Sequence, residues 1–402
     1  NILLARLWAV RSNLNLDWLW ASDLLNWQEV EAVLLRENPK SVIIQLGGQT
    51  PLKLAEKIVE KGYTIAGSSI EVIDSTEDRE LFQKLCTKEN IKQPISNIAA
   101  NVKELSDSVT QIGYPVLLRP SYVLGGRAMR VVNNETELSN YLDVLSKSDE
   151  DGNPFNSGPL LVDEYLTNAI EIDVDLISDG TDVVIAGILE HLEPAGVHSG
   201  DSTAVLPPYS IEENMLAEIR DKSIKLALSL NVRGLLNIQF AIKENELYIL
   251  EANPRASRTM PFVAKVTKNQ IIKAGTLIML GHKIKDILKD TDYLSSKTNK
   301  IAVKKAIFPW SRFPAEDTML GPEMKATGEV LGIGSKLGIA LNKAYAAAGV
   351  EIGVKQQGIF ITLSDEDKNK FLKTIRKYKD LEFKIYATEG TSEFLSKNNI
   401  ES

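Results

Sequence analysis

The sequence predicts a chain of mixed α/β and α+β structure that is divided into more than one domain. Its 402 residues exceed the roughly 250–300 residues at which a single hydrophobic core stops growing. From residue 41, a short strand, a glycine pair and a helix follow one another, which is the order of a parallel α/β unit. From residue 115, several strands are joined by short turns with few intervening helices, which indicates a largely antiparallel α+β domain.

The composition excludes several classes of protein. Hydrophobic residues make up 44% of the chain and charged residues 25%, as in ordinary globular domains. The 46 basic and 54 acidic residues give a net charge of −8, which argues against nucleic-acid binding. No apolar run reaches the about 18–20 residues that span a membrane, so no membrane association is expected. Cys86 is the single cysteine, and we therefore expect no internal disulfide and a cytoplasmic location.

The first elements can be placed in order from the N-terminus. Residues 1–20 match no regular pattern, and we expect them to be irregular. Residues 41–46 form a β-branched strand, Pro51 opens the following helix, and residues 63–66 give a second strand. The next helix is predicted to begin near residue 75, because Ser-Thr-Glu-Asp at residues 75–78 resembles a capping box.

The middle of the chain contains a series of strands. They are predicted at residues 115–119, 128–132, 160–166, 171–177, 183–188, 235–243 and 247–251. Turns at residues 178–180 and 244–245 join two pairs of these strands into hairpins. Near the C-terminus, a strand at 358–363, a helix at 365–377 and a strand at 382–386 predict one βαβ unit.

The strongest candidate site lies on and after the 235–251 hairpin. It combines oxygen ligands with two cations: Gln239, Glu251, Asn253, Arg255 and Arg258. Carboxylate and amide oxygens suit Mg²⁺, which binds few protein oxygens together with substrate phosphates, and arginines suit a phosphorylated or carboxylate intermediate. Opposed hairpin residues share a face, so Gln239 is expected to meet Glu251 only if the loop holds three residues, 244–246. The alternative is an acidic strand end followed by a solvated Asn-Pro turn.

A loop with two glycines, between two predicted strands, is a second candidate. The N–H groups at Gly125 and Gly126 are free to bind phosphate, and a plain hairpin turn is the alternative. The loop lacks the lysine of a P-loop, which excludes a Walker-type NTPase. Arg119 precedes the loop and is either a phosphate ligand or a member of a buried ion pair.

Acidic and histidine residues supply further candidates. Glu171, Asp173 and Asp175 alternate along a strand and share one face, for which we expect solvent exposure; ribose binding by Glu171 is the alternative. In the loop Gly-Val-His-Ser at residues 196–199, His198 either orients a nucleotide or has a structural role. The other two histidines, at positions 191 and 282, have no ligand-like spacing, so no zinc site is predicted.

Five motifs together resemble the C-terminal half of the large subunit of carbamoyl phosphate synthetase. They are Leu46-Gly-Gly-Gln-Thr-Pro-Leu-Lys-Leu-Ala55, Arg119-Pro-Ser-Tyr-Val-Leu-Gly-Gly-Arg-Ala-Met129, Ala195-Gly-Val-His-Ser-Gly-Asp201, Asn253-Pro-Arg-Ala-Ser-Arg-Thr259 and Gly321-Pro-Glu-Met-Lys-Ala-Thr-Gly-Glu-Val330. The resemblance runs from about residue 22 to the end of the chain. It implies a partial Rossmann-like pre-ATP-grasp domain (1–74), an ATP-grasp domain (75–345, with a lid subdomain at about 115–165) and a truncated methylglyoxal-synthase-like regulatory α/β unit (346–402).

The resemblance also implies a function, which is ATP-dependent phosphorylation of carbamate to carbamoyl phosphate in arginine or pyrimidine biosynthesis. The implied cofactors are ATP with Mg²⁺ or Mn²⁺, and the implied partners are an N-terminal synthetase half and a glutaminase subunit or domain. The implied ATP contacts are Arg79, Arg119, Gly125, Gly126, Glu164, Leu166, Glu171, Gly196, Val197, His198, Ser199, Gln239 and Glu251. The implied metal ligands are Gln239, Glu251 and Asn253, and Arg255 and Arg258 are implied to steady carbamate and the transferring phosphoryl group.

Two other functions stay open at this point. One is a nucleotide-binding fragment that is inactive without the missing half and the glutaminase. The other is a different ATP-grasp ligase, such as a biotin carboxylase or a purine ligase. The lid sequence at residues 120–126 argues against the latter, because biotin carboxylases carry a longer glycine-rich lid.

Overall fold

A computed structural model of the chain describes residues 8–9, 26–120, 129–147, 155, 158–287, 300–312, 318–350 and 358–402. The chain divides into two compact units, Asn1–Ala348 and Gly349–Ser402. Among the helices in the described ranges, none is long and apolar enough to cross a membrane.

The first unit begins with a small three-stranded sheet in the order β1-β2-β3. Its strands are β1 (Trp8–Ala9), β2 (Val42–Ile43) and β3 (Ile65–Ala66). The accompanying helices are α1 (Trp27–Glu37), α2 (Gln49–Leu52) and α3 (Ala55–Glu60). β2 and β3 are parallel, which confirms the predicted parallel α/β unit, whereas β1 pairs antiparallel with β2 from within the stretch predicted to be irregular. Leu34, Ile44 and Ile58 are buried between these elements.

The helix boundary near residue 75 differs from the prediction. α4 (Ile70–Glu77) already contains Ser75, whose hydroxyl donates to the backbone carbonyl four residues earlier at 2.6 Å. α5 (Arg79–Lys88) begins after Asp78, whose carboxylate accepts a backbone N–H three residues later at 2.9 Å. The predicted capping box is therefore wrong, because Ser75 bonds back to its own helix while Asp78 caps the next one.

A four-stranded antiparallel sheet follows, in the order β4-β7-β5-β6. Its elements are β4 (Ser96–Ala99), α6 (Val102–Ile112), β5 (Val116–Pro120), β6 (Arg130–Val132), α7 (Glu135–Lys147) and β7 (Leu160–Glu164). Leu105 of α6 and Leu138 of α7 pack on the same face of this sheet, against Leu118 and Val162. The predicted glycine loop with Gly125 and Gly126 falls in residues 121–128, outside the described residues.

The largest element is a seven-stranded sheet in the order β12-β11-β8-β9-β10-β13-β14. Its strands are β8 (Ile170–Asp179), β9 (Val183–His191), β10 (Ala204–Leu206), β11 (Arg233–Lys243), β12 (Glu246–Asn253), β13 (Ile301–Ile307) and β14 (Gly328–Gly334). The helices that pack with it are α8 (Glu213–Ser229), α9 (Thr259–Thr267), α10 (Ile271–Met279), α11 (Ile284–Ile287), a 3₁₀ turn at Trp310–Arg312 and α12 (Leu337–Ala347). Every neighbouring pair of strands is antiparallel, which confirms the predicted antiparallel α+β region.

The two faces of β8 differ, and this difference positions the site. On one face, Val174 packs in a large apolar core with Leu226 of α8. On the other face, Ile177 packs with Ala274 of α10 at one end of the strand. Three further side chains on that second face are acidic: Glu171, Asp173 and Asp175. The sheet is therefore apolar on one face and carries a polar patch on the other.

The second unit is a small α/β unit. Its elements are β15 (Ile359–Ile361), α13 (Asp365–Asp380), β16 (Ile385–Ala387) and α14 (Glu389–Lys397). β15 and β16 are parallel, and Ile375, Ile385 and Leu395 form the core. The order of strand, helix and strand confirms the predicted βαβ unit.

Candidate active site

The hairpin of β11 and β12 carries the strongest predicted site. Gln239 lies directly opposite Glu251 in the ladder. The loop holds two residues, not the three that the prediction requires, since Lys243 pairs with Glu246. Residues 244–245 have φ angles of 53° and 63°, which is the left-handed pair that a type I′ hairpin turn needs.

A bulge at Leu250 brings Gln239 opposite Glu251 in spite of the short loop. Phe240 pairs with Ile249, so a regular ladder would place Leu250 opposite Gln239. The register shifts by one residue between Gln239 and Phe240, and Leu250 is the extra residue on β12. The predicted condition of a three-residue loop is therefore wrong, because the strand supplies the additional residue that the turn lacks.

Asn253 connects this pair to the arginines. Its Nδ2 donates to Glu251 Oε1 at 2.8 Å, and its Oδ1 accepts from Arg255 Nη2 at 3.0 Å. Asn253 is buried, whereas Glu251 is exposed. No group of three or more His, Cys, Asp or Glu in the described part of the chain is arranged to hold a metal ion. A set of one carboxylate and two amide oxygens nevertheless fits Mg²⁺, which takes few protein ligands when phosphates complete its shell.

Residues 254–258 form a loop between β12 and α9, here called the arginine loop. Arg255 Nε donates to Gln49 Oε1 at 3.0 Å. Gln45 donates through its side chain to one backbone carbonyl of the loop and accepts one loop N–H on its own carbonyl, both at 2.7 Å. Gln45 follows β2 and Gln49 begins α2, so the first sheet holds the arginine loop in place. Arg258 ends the loop and is exposed.

Asp175 of β8 anchors the same loop. Its carboxylate accepts from Ser257 Oγ at 2.7 Å, from Thr259 Oγ1 at 2.6 Å and from Asn237 Nδ2 at 2.9 Å. Burial, followed by the nearby Asp173 carboxylate, raises the pKa of Asp175 to about 6. Asp175 therefore ties the start of α9 to the centre of the sheet.

The expectation of a solvated acidic face is wrong. Glu171, Asp173 and Asp175 are 9%, 1% and 0% exposed. β8 lies between β9 and β11, so neighbouring strands cover its sides and supply polar partners, His191 from β9 and Asn237 from β11. These polar partners offset the energetic cost of burying the carboxylates, since buried charges need paired or hydrogen-bonding neighbours.

His191 is a site residue that the sequence analysis missed. Its Nε2 lies 2.8 Å from Asp173 Oδ2, and its Nδ1 lies 3.3 Å from Glu171 Oε2. Burial lowers the pKa of His191, but the two carboxylates outweigh that effect and raise it to about 9. In turn, His191 outweighs the effect of burial on Asp173 and lowers the pKa of that carboxyl. His191 lies beyond the predicted end of its strand at residue 188, so no pattern in the sequence related it to β8.

The loop at residues 196–199 is fixed by three separate parts of the first unit. Its first N–H donates to Glu171 Oε1 at 2.9 Å. Its last carbonyl oxygen accepts from Lys304 Nζ at 2.8 Å. The backbone N–H of His198 donates to the carbonyl of Gly321 at 2.8 Å. The loop therefore joins Glu171 to β13 and to the start of the last of the five motifs.

His198 faces the arginine loop as a neutral imidazole. Its Nδ1 accepts the Gly200 N–H at 3.0 Å, which leaves the proton on Nε2. Burial, followed by the positive charge of Arg258, lowers the pKa of His198, and Glu251 is close enough to oppose this shift. Arg258 also contacts the sulfur of Met324. The charges of Glu251 and Arg258 therefore act on His198.

Two further charged residues support this loop, and the sequence analysis assigned them no role. Lys304 is fully buried, and burial lowers its pKa. Asp201 is also fully buried and accepts the backbone N–H groups of Lys325 and Ala326 at 2.7 and 2.9 Å. Asp201 is the last residue of the third of the five motifs, and that position was a signal for its role. Lys304 lies outside all five motifs, and no pattern in the sequence marks it.

Arg79 and Arg119 form a second group around Asp163. Both guanidinium groups bond to the Asp163 carboxylate, Arg119 through Nη2 at 3.1 Å. Arg79 Nη1 and Arg119 Nε are buried without a hydrogen-bond partner among the described residues. Unpaired buried donors on two cations suit an anion such as a phosphate group. Within the described part of the chain, no hydrogen bond or ion pair joins this pair of arginines to Glu171 or Glu251.

Glu164 ends β7 directly after Asp163, and Leu166 follows two residues later. Glu164 Oε1 is 3.6 Å from Lys243 Nζ. Leu166 is buried in a small apolar cluster with Ala195. Between them, the Tyr165 hydroxyl donates to the carbonyl oxygen of Ala195 at 2.6 Å, directly before the loop at residues 196–199. Leu166 therefore lies beside that loop, whereas the contacts of Glu164 are with Lys243 and Ile95.

Comparison with known proteins decides the family. Residues 78–287 match the model of the carbamoyl-phosphate synthase L chain ATP binding domain, and residues 16–75 match the carbamoyl phosphate synthase preATP-grasp domain. The chain belongs to the carbamoyl phosphate synthase large-chain family. It is 44% identical over 390 residues to the large chain, C-terminal section, of Aquifex aeolicus, covering 94% of this chain and 71% of that protein. It is 46% identical over 378 residues to the large chain of Archaeoglobus fulgidus, of which it spans 34%.

Solved structures show that this chain has the ATP-grasp fold. Biotin carboxylase from Campylobacter jejuni matches with a TM-score of 0.57 and 19% identity, covering 71% of this chain and 63% of that one. N5-carboxyaminoimidazole ribonucleotide synthetase from Thermotoga maritima matches with a TM-score of 0.58 and 15% identity, covering 80% and 84%. At these identities the likeness concerns the fold alone. The predicted ATP-grasp fold with a preceding pre-ATP-grasp domain is confirmed, and the family match removes the alternative of a biotin carboxylase or purine ligase.

Proposed function

We propose that this chain phosphorylates carbamate with ATP to give carbamoyl phosphate and ADP, as the C-terminal synthetase half of a carbamoyl phosphate synthase. The observation that carries the proposal is the pairing of Gln239 with Glu251 beside Asn253 and the arginine loop. This arrangement supports a cation site close to the two arginines. The chain spans about one third of undivided large chains, so the activity of the whole enzyme needs further parts.

The proposed nucleotide site spans both groups of residues. Glu171 accepts the ribose hydroxyls, Glu164 and Leu166 lie at the adenine, and residues 196–199 contact the nucleotide through backbone and His198. The spare donors of Arg79 and Arg119 support phosphate binding by this pair. Gly125 and Gly126, whose loop lies outside the described residues, are proposed as part of the lid over the phosphates.

The proposed metal ligands are Gln239, Glu251 and Asn253, with Gln239 and Glu251 also contacting ATP through the ion. We propose Mg²⁺, with Mn²⁺ as an alternative, because all three side chains offer oxygen. When bound, the ion neutralises charge on the phosphate oxygens. Asn253 orients Glu251 through its 2.8 Å hydrogen bond, so the carboxylate is held before nucleotide binds.

Arg255 and Arg258 supply the positive charge at the acceptor. A carbamate oxygen attacks the γ-phosphorus of ATP, the bond to the β-phosphate oxygen breaks, and ADP leaves. Such a transfer depends on position and electrostatic stabilisation more than on covalent help from the protein. Arg255 is already oriented by Gln49 and Asn253, and Arg258 is exposed.

The proposed domains are a pre-ATP-grasp domain at 1–74, an ATP-grasp domain at 75–345 with its lid at about 115–165, and a methylglyoxal-synthase-like regulatory unit at 346–402. The parallel pair β15 and β16 supports an α/β assignment for the last of these. The proposed partners are an N-terminal synthetase half and a glutaminase, in arginine or pyrimidine biosynthesis. A cytoplasmic location is part of the proposal and is in keeping with the single cysteine.

The reverse partial reaction tests the proposal. The chain is mixed with Mg²⁺, ADP and carbamoyl phosphate, and formation of ATP is followed; neither glutamine nor the other half is required. Glu251→Gln should lower the rate by on the order of 100-fold or more, because lost charge stabilisation of several kcal/mol corresponds to such a factor. Glu246→Gln is the matched control, since Glu246 lies on the same strand but is exposed and paired with Lys92.

Each outcome of this experiment has a separate meaning. ATP formed by the natural chain and by Glu246→Gln, and lost in Glu251→Gln, supports the proposal. Nucleotide binding without ATP formation favours the second candidate function, a nucleotide-binding fragment that needs its missing partners. Unchanged ATP formation in Glu251→Gln contradicts the metal assignment.

A further inference from the structure

The Glu171 carboxylate is held from two sides before any nucleotide binds. Its Oε1 accepts the N–H of Gly196 at 2.9 Å. Its Oε2 lies 3.3 Å from His191 Nδ1, an ion-pair contact whose geometry is not that of a hydrogen bond. Glu171 has three rotatable side-chain bonds, and a carboxylate that binds two vicinal hydroxyls must keep one orientation. The two contacts supply that orientation.

His191 is in turn fixed by Asp173. His191 Nε2 lies 2.8 Å from Asp173 Oδ2, and each of these two side chains is 2% exposed. Asn237 of β11 also approaches Asp173, with Nδ2 3.5 Å from Oδ1. Asp173, His191 and Glu171 therefore form a chain of contacts that runs from the centre of the sheet to the edge of the proposed nucleotide site.

We infer that His191 is a positioning residue that fixes the Glu171 carboxylate for the ribose hydroxyls of the nucleotide. This inference rests on the proposed function, which places the ribose at Glu171. His191 is too deeply buried to touch the nucleotide itself, so its effect passes through Glu171. It goes beyond the resemblance to the family, which led us to assign Glu171 but gave His191 no role.

A doubly protonated imidazole suits this position. Nε2 is hydrogen-bonded to Asp173, and Nδ1 lies within ion-pair distance of Glu171 without a hydrogen bond of its own among the described residues, so a proton on each nitrogen places positive charge beside both carboxylates. The raised pKa of His191, caused by Asp173 and Glu171 against the effect of burial, agrees with both nitrogens being protonated at neutral pH. A neutral imidazole at position 191 has one N–H and could donate to only one of the two carboxylates.

Two isosteric variants separate the two halves of this contact chain. In His191→Asn the side-chain amide lies where Nδ1 was and can still donate to Glu171. In His191→Gln the amide reaches the position of Nε2 and can donate to Asp173 instead. The measured quantity is the ratio of dissociation constants for 2′-deoxyATP and ATP, obtained by calorimetry on the full chain with Mg²⁺.

We expect the natural chain to prefer ATP by about tenfold, the size of one hydrogen bond to a charged group. The preference should fall to within about twofold in Glu171→Ala and in His191→Gln, and should largely persist in His191→Asn. Ile188→Ala is the control, because Ile188 lies on β9 but packs into the apolar core on the opposite face. It should alter stability without altering the ratio.

The results distinguish this inference from the proposed function. An unchanged ratio in His191→Gln, with a ratio that falls in Glu171→Ala, overturns the positioning role and leaves the function intact. Equal weakening of both nucleotides in His191→Gln also overturns it, since that is the effect of a purely structural residue. ATP binding without any preference in the natural chain overturns the ribose assignment of Glu171 and the inference with it. Absence of ATP binding overturns the proposed function.

Discussion

At the scale of single residues, the buried His191 makes the free energy of unfolding depend on pH. Its pKa in the folded chain is raised to about 9, against about 6.5 in an unfolded chain. The folded state thus holds this proton more tightly than the unfolded state. The stabilisation is fully present below a pH of about 6.5 and is lost as the pH rises through about 9.

We expect the free energy of unfolding to fall by roughly 1–3 kcal/mol over that pH range because of His191. Urea unfolding at several pH values measures it, with His191→Gln as the reference that lacks the titrating group. Parallel curves for the natural chain and His191→Gln would show that His191 does not carry the raised pKa.

The candidate site was predictable from sequence where its residues lie close along the chain. Glu251, Asn253 and Arg255 follow one another on one strand end and its loop, so their residue types and spacing are visible together. His191 and Lys304 join the site through strands β9 and β13. Their contribution depends on the order and register of the sheet, which no local pattern contains.

At the scale of secondary-structure elements, the N-terminus of α5 offers a direct test. Asp78→Ala should lower the free energy of unfolding by about 1 kcal/mol, because it removes the side chain that caps the helix. Ser75→Ala should change it by less than about 0.5 kcal/mol, since Ser75 lies inside α4. Denaturant titration of both variants measures the difference, and equal losses would favour the capping box predicted from sequence. Asp78 also matters for the site, because Arg79 is the first residue of α5.

The strands were predicted better than their ends. Each strand predicted in the middle of the chain occurs, because β-branched runs between turns are strong local signals. β8, β9 and β12 extend further than predicted, since partner strands continue the ladder past the last apolar residue. The predicted helix start at Ser75 was wrong because two helices, α4 and α5, follow one another here. Ser75 and Asp78 are both possible capping residues, and their local sequence does not distinguish between them.

At the scale of the whole first unit, the small sheet contributes to the proposed site because Gln49 and Gln45 hold the arginine loop that follows β12 of the large sheet. Gln49→Ala removes the acceptor of Arg255 Nε, and we expect the rate of ATP formation from carbamoyl phosphate to fall by about 10–100-fold. The KM for ADP should stay within about twofold, because the hydrogen bonds of the Gln49 side chain among the described residues go to Arg255 and Glu77 and not to the proposed adenine and ribose residues. Steady-state kinetics of the reverse reaction measures both values.

Gln83→Ala is the control for this experiment. Gln83 is an exposed amide on α5 with no part in the proposed site, and its removal should leave both kinetic values unchanged. A loss of rate in Gln49→Ala that comes with an equal rise in the KM for ADP would contradict a specific effect on Arg255. It would indicate instead that the two sheets have separated.

The bulge at Leu250 has a consequence for how homologous sequences are aligned. A homologue with one residue fewer between the turn and the carboxylate can keep glutamine and carboxylate opposite each other on a regular ladder. A single-residue gap in this strand is therefore no sign that a homologue has lost the ligand pair. With two residues fewer, the residue after Glu251 would stand opposite Gln239 and the carboxylate would point to the other face. In such alignments the length of the gap, more than the identity of the residues that flank it, separates homologues that keep the site from those that have lost it.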